Sequence, residues 1–308
     1  MNRVMTSAQR RSWEEDGWCI VERAVSGDAL AAAQNAVSKL FPSAAQMAEA
    51  CDGDGGSSGE GMGLGRWRTW DANWPEFPFR SRSLNALVVS DLIIGLAEEL
   101  LGTGDLRMYM AIVTAKYAGQ PSDYNQLLHV DYPNHTLTVP SSEAGYHQME
   151  TFIYLNDVDA GNGATRFVSR SRTRHVPVEE HTLNLEDHGQ LYEDPDDASA
   201  PAGSVIVYRP DVYHRSVDFT DPTRARFMLH VAYRRAAMEW GGYQAWPFKG
   251  FSAEWHNFVR QATPRQLVVL GFPGPGHAFW TDETLAGVAR RYPGLDLTPW
   301  HAARAAVR

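Results

Sequence analysis

Only two cysteines occur in the 308 residues, Cys19 and Cys51, so the chain has no disulfide framework, and their separation matches no zinc-knuckle spacing. A reducing compartment is expected. Lysine is also scarce, since only Lys39, Lys116 and Lys249 stand among 28 basic residues, and the 37 acidic residues leave a net charge of -9. An acidic chain repels nucleic acid and anionic membrane surfaces, so neither is an expected partner. Met1 to Arg11 lacks the apolar centre of a signal peptide, and no apolar run is long enough to cross a bilayer. These features predict a cytoplasmic protein. What is present, 44% hydrophobic and 21% charged residues, is the composition of an ordinary globular chain with a sizeable core.

Cys51 to Gly65 is the one low-complexity stretch, a glycine-rich loop. It contains a formal G-x-S-x-G match at residues 55 to 59, which is discounted because neither a buried strand before the serine nor a helix after it is visible. Trp67, Trp70, Trp74, Phe77 and Phe79 follow, interleaved with Arg66, Arg68 and Arg80. Two readings stay open for them: a hydrophobic wrap over the core, or an aromatic wall over a substrate pocket with the glycines as its hinge.

Helical spacing predicts helices over Asp28 to Leu40, Asp91 to Leu101, Ser252 to Thr263 and Asp282 to Arg291. Between them the texture turns to strands: Arg107 to Tyr117, Leu127 to Tyr132, His147 to Leu155, Ala164 to Ser169, Ser204 to Tyr208 and Arg226 to Tyr233, with a shorter one at Cys19 to Val21. No helices alternate with these strands, which argues against a parallel sheet and for a jelly roll or barrel. The expected fold class is mainly β with flanking helices.

The chemistry concentrates at Gln126-Leu127-Leu128-His129-Val130-Asp131-Tyr132. In an extended strand, positions i and i+2 share a face, so His129 and Asp131 aim together. A buried carboxylate needs a cationic partner, and a metal ion is one. His214, beyond the run Ser204 to Tyr208, adds a second imidazole. Two neutral nitrogens and one anionic oxygen suit non-haem Fe(II) with positions left open. The same set suits catalytic Zn²⁺, so a zinc-dependent hydrolase and a non-catalytic jelly-roll binding protein remain alternatives. Arg226, opening an apolar strand, and Ser216 could together take a carboxylate, because guanidinium forks onto that group. Arg224 competes, but it follows the turn Asp221-Pro222-Thr223 and is expected to be solvated.

Lys116 in an otherwise apolar strand reads by itself as a solvent-facing edge residue. With Gln126, Asn125 and Thr114 it is also a candidate to reach a co-substrate. His135 and His147 flank the Asp131 strand and are candidates for a pocket wall, and His230 has inward parity without an assigned role. Arg170, Arg172 and Arg174 are expected to share one face of a strand as a charged edge. The turn Gly271 to His277, with Trp280 and Trp300, is open between a lid, a homodimer contact and plain packing.

The succession His129-Val130-Asp131, Tyr154-Leu155-Asn156-Asp157-Val158, Asn162-Gly163-Ala164 and His214-Arg215-Ser216 with a downstream arginine resembles the phytanoyl-CoA dioxygenase family. Asp16 to Val21 is similar to that family's opening, and the resemblance runs from about Trp13 to Tyr233. It implies a double-stranded β-helix (jelly roll, cupin-like) and a single oxygenase domain over 1–308. Within it, about 1–105 would be an N-terminal helical and loop part, 106–235 the core, and 236–308 a C-terminal helical extension. It further implies Fe(II) held by His129, Asp131 and His214, with 2-oxoglutarate clamped by Arg226 and Ser216. O2 would be the oxidant, succinate and CO2 the co-products, and a C–H of a small-molecule substrate the target. With Asp131 present the site resembles hydroxylases rather than halogenases. Where many relatives carry Pro-Gly-Ser-His, this chain has Ser169-Arg170-Ser171-Arg172, which leaves the substrate unassigned.

Overall fold

The structure, a computed structural model, describes residues 4–52, 74–120, 123–177 and 179–306. Among the described residues, ten strands form two five-stranded sheets in which every pairing is antiparallel. The larger contains β1 (Trp18–Val21), β2 (Leu106–Tyr117), β4 (Gln148–Tyr154), β8 (Val205–Tyr208) and β10 (Ala225–Arg235), in the order β1-β8-β4-β10-β2. The smaller contains β3 (Leu128–His129), β5 (Arg166–Phe167), β6 (Thr182–Leu183), β7 (Asp196–Asp197) and β9 (His214–Arg215), in the order β6-β3-β9-β5-β7.

Alternation along the long strands decides what each face does. Val113, Met149, Ile153, Val205, Val207, Leu229, Val231 and Tyr233 point to one side, into the main core. That core is closed by helices Gly27–Val37, Arg82–Val88, Asp91–Leu101, Ala253–Val259 and Asp282–Arg291. The intervening residues, Ile112, Thr114, Lys116, Glu150, Phe152, Tyr208, Arg226, Met228 and His230, line a cavity of about 390 Å³ on the other side. The sheet is therefore buried on both faces, which explains why β10 reads as a near-continuous apolar run with isolated polar residues.

Local signals set the helix ends. The Ser90 hydroxyl accepts from Ile93 N at 3.3 Å at the start of Asp91–Leu101, and Gly102 closes it in the left-handed region at φ 66. Helix Asp282–Arg291 begins with Asp282 and Glu283 and ends with Arg290 and Arg291, the order that complements its dipole.

Several expectations are corrected. Ser7–Glu15 is a helix the apolar spacing did not announce, since its start depends on the Thr6/Gln9 capping box. The stretch Ser252 to Thr263 ends as a helix at Val259, because Thr263 caps a new helix over Pro264–Val269. Residues 170–174 form no strand edge: Ser169 Oγ accepts from Ser171 N at 3.2 Å and starts a helical turn over Arg170–Thr173. Arg170 then pairs with Asp211 at 3.1 Å, while Arg172 bonds the carbonyls of Asp194 and Gln190. At the C-terminus, the indoles of Trp280 and Trp300 both donate to Pro273 O and belong to the main core, so the glycine-proline turn packs behind the sheet, away from the cavity. Among the described residues, no helix is long and apolar enough to cross a membrane.

Candidate metal centre

His129 and His214 are 85 positions apart yet are direct cross-strand partners, because β3 pairs with β9 in antiparallel register. Their rings lie 4.6 Å apart. Asp131 reaches them by a route that strand parity did not foresee. The strand stops at His129, and Asp131 sits in the right-handed helical region (φ -89, ψ -16) at the head of a turn over Tyr132–His135. Pro133 is suited to that first turn and cannot continue a ladder. Pro210 O accepts from both Asp131 N and Tyr132 N at 2.9 Å, which ties this turn to the segment leading into β9.

Asp131 Oδ2 stands 3.4 Å from His214 Nε2, and Oδ1 stands 3.9 Å from His129 Nε2. One ligand atom from each of the three residues falls within 4.8 Å of the other two. Each imidazole is oriented from behind: His129 Nδ1 lies 2.9 Å from Leu127 O and His214 Nδ1 lies 3.0 Å from Val212 O. A carbonyl oxygen only accepts, so Nδ1 carries a proton and Nε2 is the nitrogen turned toward Asp131. Tyr208 OH donates to Asp131 Oδ2 at 2.8 Å, steering the carboxylate from outside.

The electrostatics match an anionic oxygen between two nitrogens. Burial, the largest single influence, would raise the Asp131 carboxyl, but His214 together with His135 and His129 outweighs it and holds the group well below the usual carboxylate range. Burial opposes charge on His214, yet Asp131 lifts its pKa. His129 shifts down, through burial and the neighbouring His214. The donor set, two neutral nitrogens and one carboxylate with their rear atoms anchored, fits a six-coordinate ferrous ion with sites to spare.

The same cavity holds a cationic end. Arg226 is buried, donating through Nη1 to Gly163 O and through Nη2 to Ser216 Oγ at 3.2 Å. Lys116 is its cross-strand partner and donates to Ser216 Oγ at 2.9 Å and Val217 O at 2.8 Å, with Asp123 at 3.4 Å. The solvent-facing edge reading of Lys116 is thereby corrected, because β2 has a covered inner face and residue 116 has inward parity. Burial and the adjoining Arg226 lower its pKa to about 8. Ser216 Oγ accepts from both cations, so its own proton is directed elsewhere, toward any carboxylate placed between them. Gln126 lines the cavity and holds Ser216 by accepting its N–H at 2.9 Å. Gly163, at φ 66, allows this approach: a side chain there would meet Val217 O at 2.4 Å.

The remaining predicted residues divide. Trp74 and His135 line the cavity, and Trp67 and Trp70 lie outside the described residues. Arg224 is at the surface against Asp159, and Asn125 bonds Asp218, neither at the cavity. Thr114 Oγ1 and His230 Nε2 meet at 3.1 Å inside it, and burial lowers His230 to about 3. His147 is not among the lining residues. Sequence reading missed Glu150, Tyr208 and Tyr109, although a lone carboxylate in the apolar run Gln148–Tyr154 is the same signal that marked Lys116.

The family model for phytanoyl-CoA dioxygenase (PhyH) matches residues 13–224. The chain belongs to the phytanoyl-CoA dioxygenase family, and is a 2-oxoglutarate-dependent non-haem iron oxygenase using Fe(II) and O2. Similar solved structures include apo EctD from S. alaskensis, at 15% identity and TM-score 0.58, covering 79% of this chain and 82% of that one. The non-heme alpha ketoglutarate dependent carbocyclase SnoK from nogalamycin biosynthesis is similar at 20% identity and TM-score 0.50, covering 74% and 83%. The epimerase SnoN, solved with Fe3+, alpha ketoglutarate and nogalamycin RO, gives 17%, 0.50, 74% and 83%. At these identities the likeness is one of fold. A search of the curated proteins finds no match.

Proposed function

We propose that this protein is a dioxygenase that hydroxylates an unactivated C–H of a small molecule inside a double-stranded β-helix, with the whole chain forming one domain. His129, Asp131 and His214 hold Fe(II). Arg226, Ser216 and Lys116 hold the distal carboxylate of 2-oxoglutarate, with Gln126 placing Ser216. Trp74 and His135 belong to the substrate wall. The observation that carries this reading is the convergence of the three ligand atoms on the same cavity as two buried cations sharing one serine hydroxyl. A hydrolytic zinc site has no use for that second feature.

Bound iron supplies the dioxygen chemistry that couples decarboxylation of 2-oxoglutarate to oxidation of a C–H bond. The chain's own residues do the rest. Arg226 and Lys116 attract a dianion and Ser216 donates to it, which fixes the co-substrate's depth. Tyr208 keeps Asp131 from rotating. Phe152, Met228 and Ile112 keep the cavity wall apolar between its charged ends and exclude water. The test is succinate formation from 2-oxoglutarate with added Fe(II), compared with Asp131→Ala. The variant should lose ferrous-ion binding and succinate formation, and unchanged iron affinity would overturn the assignment.

A further inference from the structure

The carboxylate at the far end of the cavity wall, Glu150, is not one of the three residues grouped as metal ligands and has no hydrogen bond to Arg226, Lys116 or Ser216 among the described residues. Along β10 the inward row runs Arg226, Met228, His230, Ala232, and Ala232 pairs with Glu150 of β4. Six residues of strand separate Arg226 from Ala232, about 20 Å at the usual rise. The cationic pair and Glu150 thus stand at opposite ends of one wall. Glu150 is also the cross-strand partner of Tyr208, whose hydroxyl touches Asp131. A group bound at Glu150 is therefore one strand away from the metal ligands.

Glu150 is 1% exposed and borders the cavity. Tyr109 OH donates to its Oε1 at 2.5 Å, and His135 Nδ1 lies 2.9 Å from the same oxygen. Gln148 Nε2 braces both neighbours, donating to Tyr109 OH at 3.1 Å and to His135 O at 3.0 Å. The Tyr109 hydrogen bond and the His135 ion-pair contact both fall on Oε1, and among the described residues no hydrogen bond is found to Oε2. A carboxylate has about four acceptor positions. Glu150 lines the cavity, so those of Oε2 are left for whatever occupies it.

We propose that Glu150, fixed by Tyr109 and His135, orients the substrate: Oε2 accepts a hydrogen bond from a hydroxyl or a protonated amine, and rejects a carboxylate or phosphate at that end. This rests on reading the cavity as the oxygenase chamber. It assigns the substrate class by charge and polarity, an alcohol or amine, where the family resemblance left it unassigned.

The test uses the full chain loaded anaerobically with Fe(II) and 2-oxoglutarate, so that binding is measured by calorimetry without turnover. Three probes share one carbon frame: cyclohexylmethylamine, cyclohexylmethanol and cyclohexanecarboxylate. The amine or the alcohol should bind at least about tenfold more tightly than the carboxylate, about 1.4 kcal/mol. The stronger of the two identifies the donor. Glu150→Gln sharpens the result, because Tyr109 and His135 still demand an acceptor at the Oε1 position and force the amide NH2 into the Oε2 position. That variant should lose amine binding about tenfold, keep the alcohol, which can reverse its role, and bind the carboxylate more tightly than the wild type does. A merely structural glutamate would produce no such inversion. Failure of both donors to bind, equal binding of the carboxylate, or an unchanged order in Glu150→Gln overturns the proposal. If Glu150→Gln does not fold, Glu150→Asp, which withdraws the carboxylate, should weaken the preferred probe, and unchanged affinity overturns it equally. 2-Oxoglutarate binding is measured first: its absence overturns the oxygenase reading as well, whereas its presence without donor preference overturns the Glu150 assignment alone.

Discussion

Replacing Arg226 by methionine tests the cationic end of the cavity most directly. The guanidinium is buried, two of its nitrogens are committed to Gly163 O and Ser216 Oγ, and its Nε has no partner. It therefore has donors in reserve for a carboxylate. Truncating one side of a buried, hydrogen-bonded charge pair costs about 2–5 kcal/mol. At about 1.4 kcal/mol per tenfold, that weakens 2-oxoglutarate binding by about 30- to 3,000-fold. Lys116 moderates the loss: it is a cation below pH 8 and stays beside Ser216 to meet the carboxylate when the arginine is gone. An increase in the lower half of that range, about 30- to 300-fold, is expected. Without co-substrate the arginine is a buried cation with no carboxylate partner, so the methionine variant should melt at the same temperature or higher. Anaerobic calorimetry of 2-oxoglutarate against the Fe(II)-loaded protein, together with a melt of the metal-free protein, reads both quantities. A dissociation constant within fivefold of wild type would refute the reasoning, as would a destabilised apo-protein whose co-substrate affinity is intact.

Tyr208→Phe removes the donor to Asp131 Oδ2 while keeping the ring against His214, and should lower ferrous-ion affinity or turnover about 10- to 100-fold; metal titration distinguishes this from a change in fold. Lys116 faces Arg226, Asp123 and Asp218, and its pKa of about 8 gives the pH dependence a sign: the cation is present below 8 and is lost as pH rises through it. 2-Oxoglutarate affinity should be flat to about pH 7.5 and fall above 8, and in Lys116→Met that fall should be absent. Gly163→Ala would meet Val217 O, the carbonyl bonded to Lys116, and its φ is strained for alanine. The 2-oxoglutarate KM should rise by about tenfold, on the order of 1.4 kcal/mol, with less change in kcat.

The long strands and the apolar helix Asp91–Leu101 were legible in the sequence because their signals are local, whereas Ser7–Glu15 and Pro264–Val269, set by capping boxes alone, were not. Helix Asp91–Leu101 occurs with the predicted ends, and β2, β4 and β10 fall within one or two residues of expectation. Of the smaller sheet, β3 and β5 lie within longer predicted strands, whereas β6, β7 and β9 were not legible, since they are two residues long and carry no alternation. The pairing of His129 with His214 is set by that sheet and spans 85 positions, beyond the reach of any window. His129 and Asp131 do converge, but not through the i, i+2 parity of a strand, since Asp131 arrives through a helical turn. Lys116 reads in the sequence as a solvent-facing edge residue and Glu150 goes unmarked, yet both are buried on the cavity side of the sheet. A lone charge in an apolar strand looks like an edge residue until the second face of the sheet proves to be covered.

β10 works as a two-sided template. One set of its side chains furnishes the reaction chamber and the interleaved set anchors the sheet to the helical layer, so the two assignments differ by a shift of one residue. A single insertion or deletion within this strand would turn Arg226 toward the helices and Leu229 toward the iron. Length variation that retunes such an enzyme for new substrates is thus confined to the connections between strands, while changes inside β10 must proceed by exchange of one side chain for another.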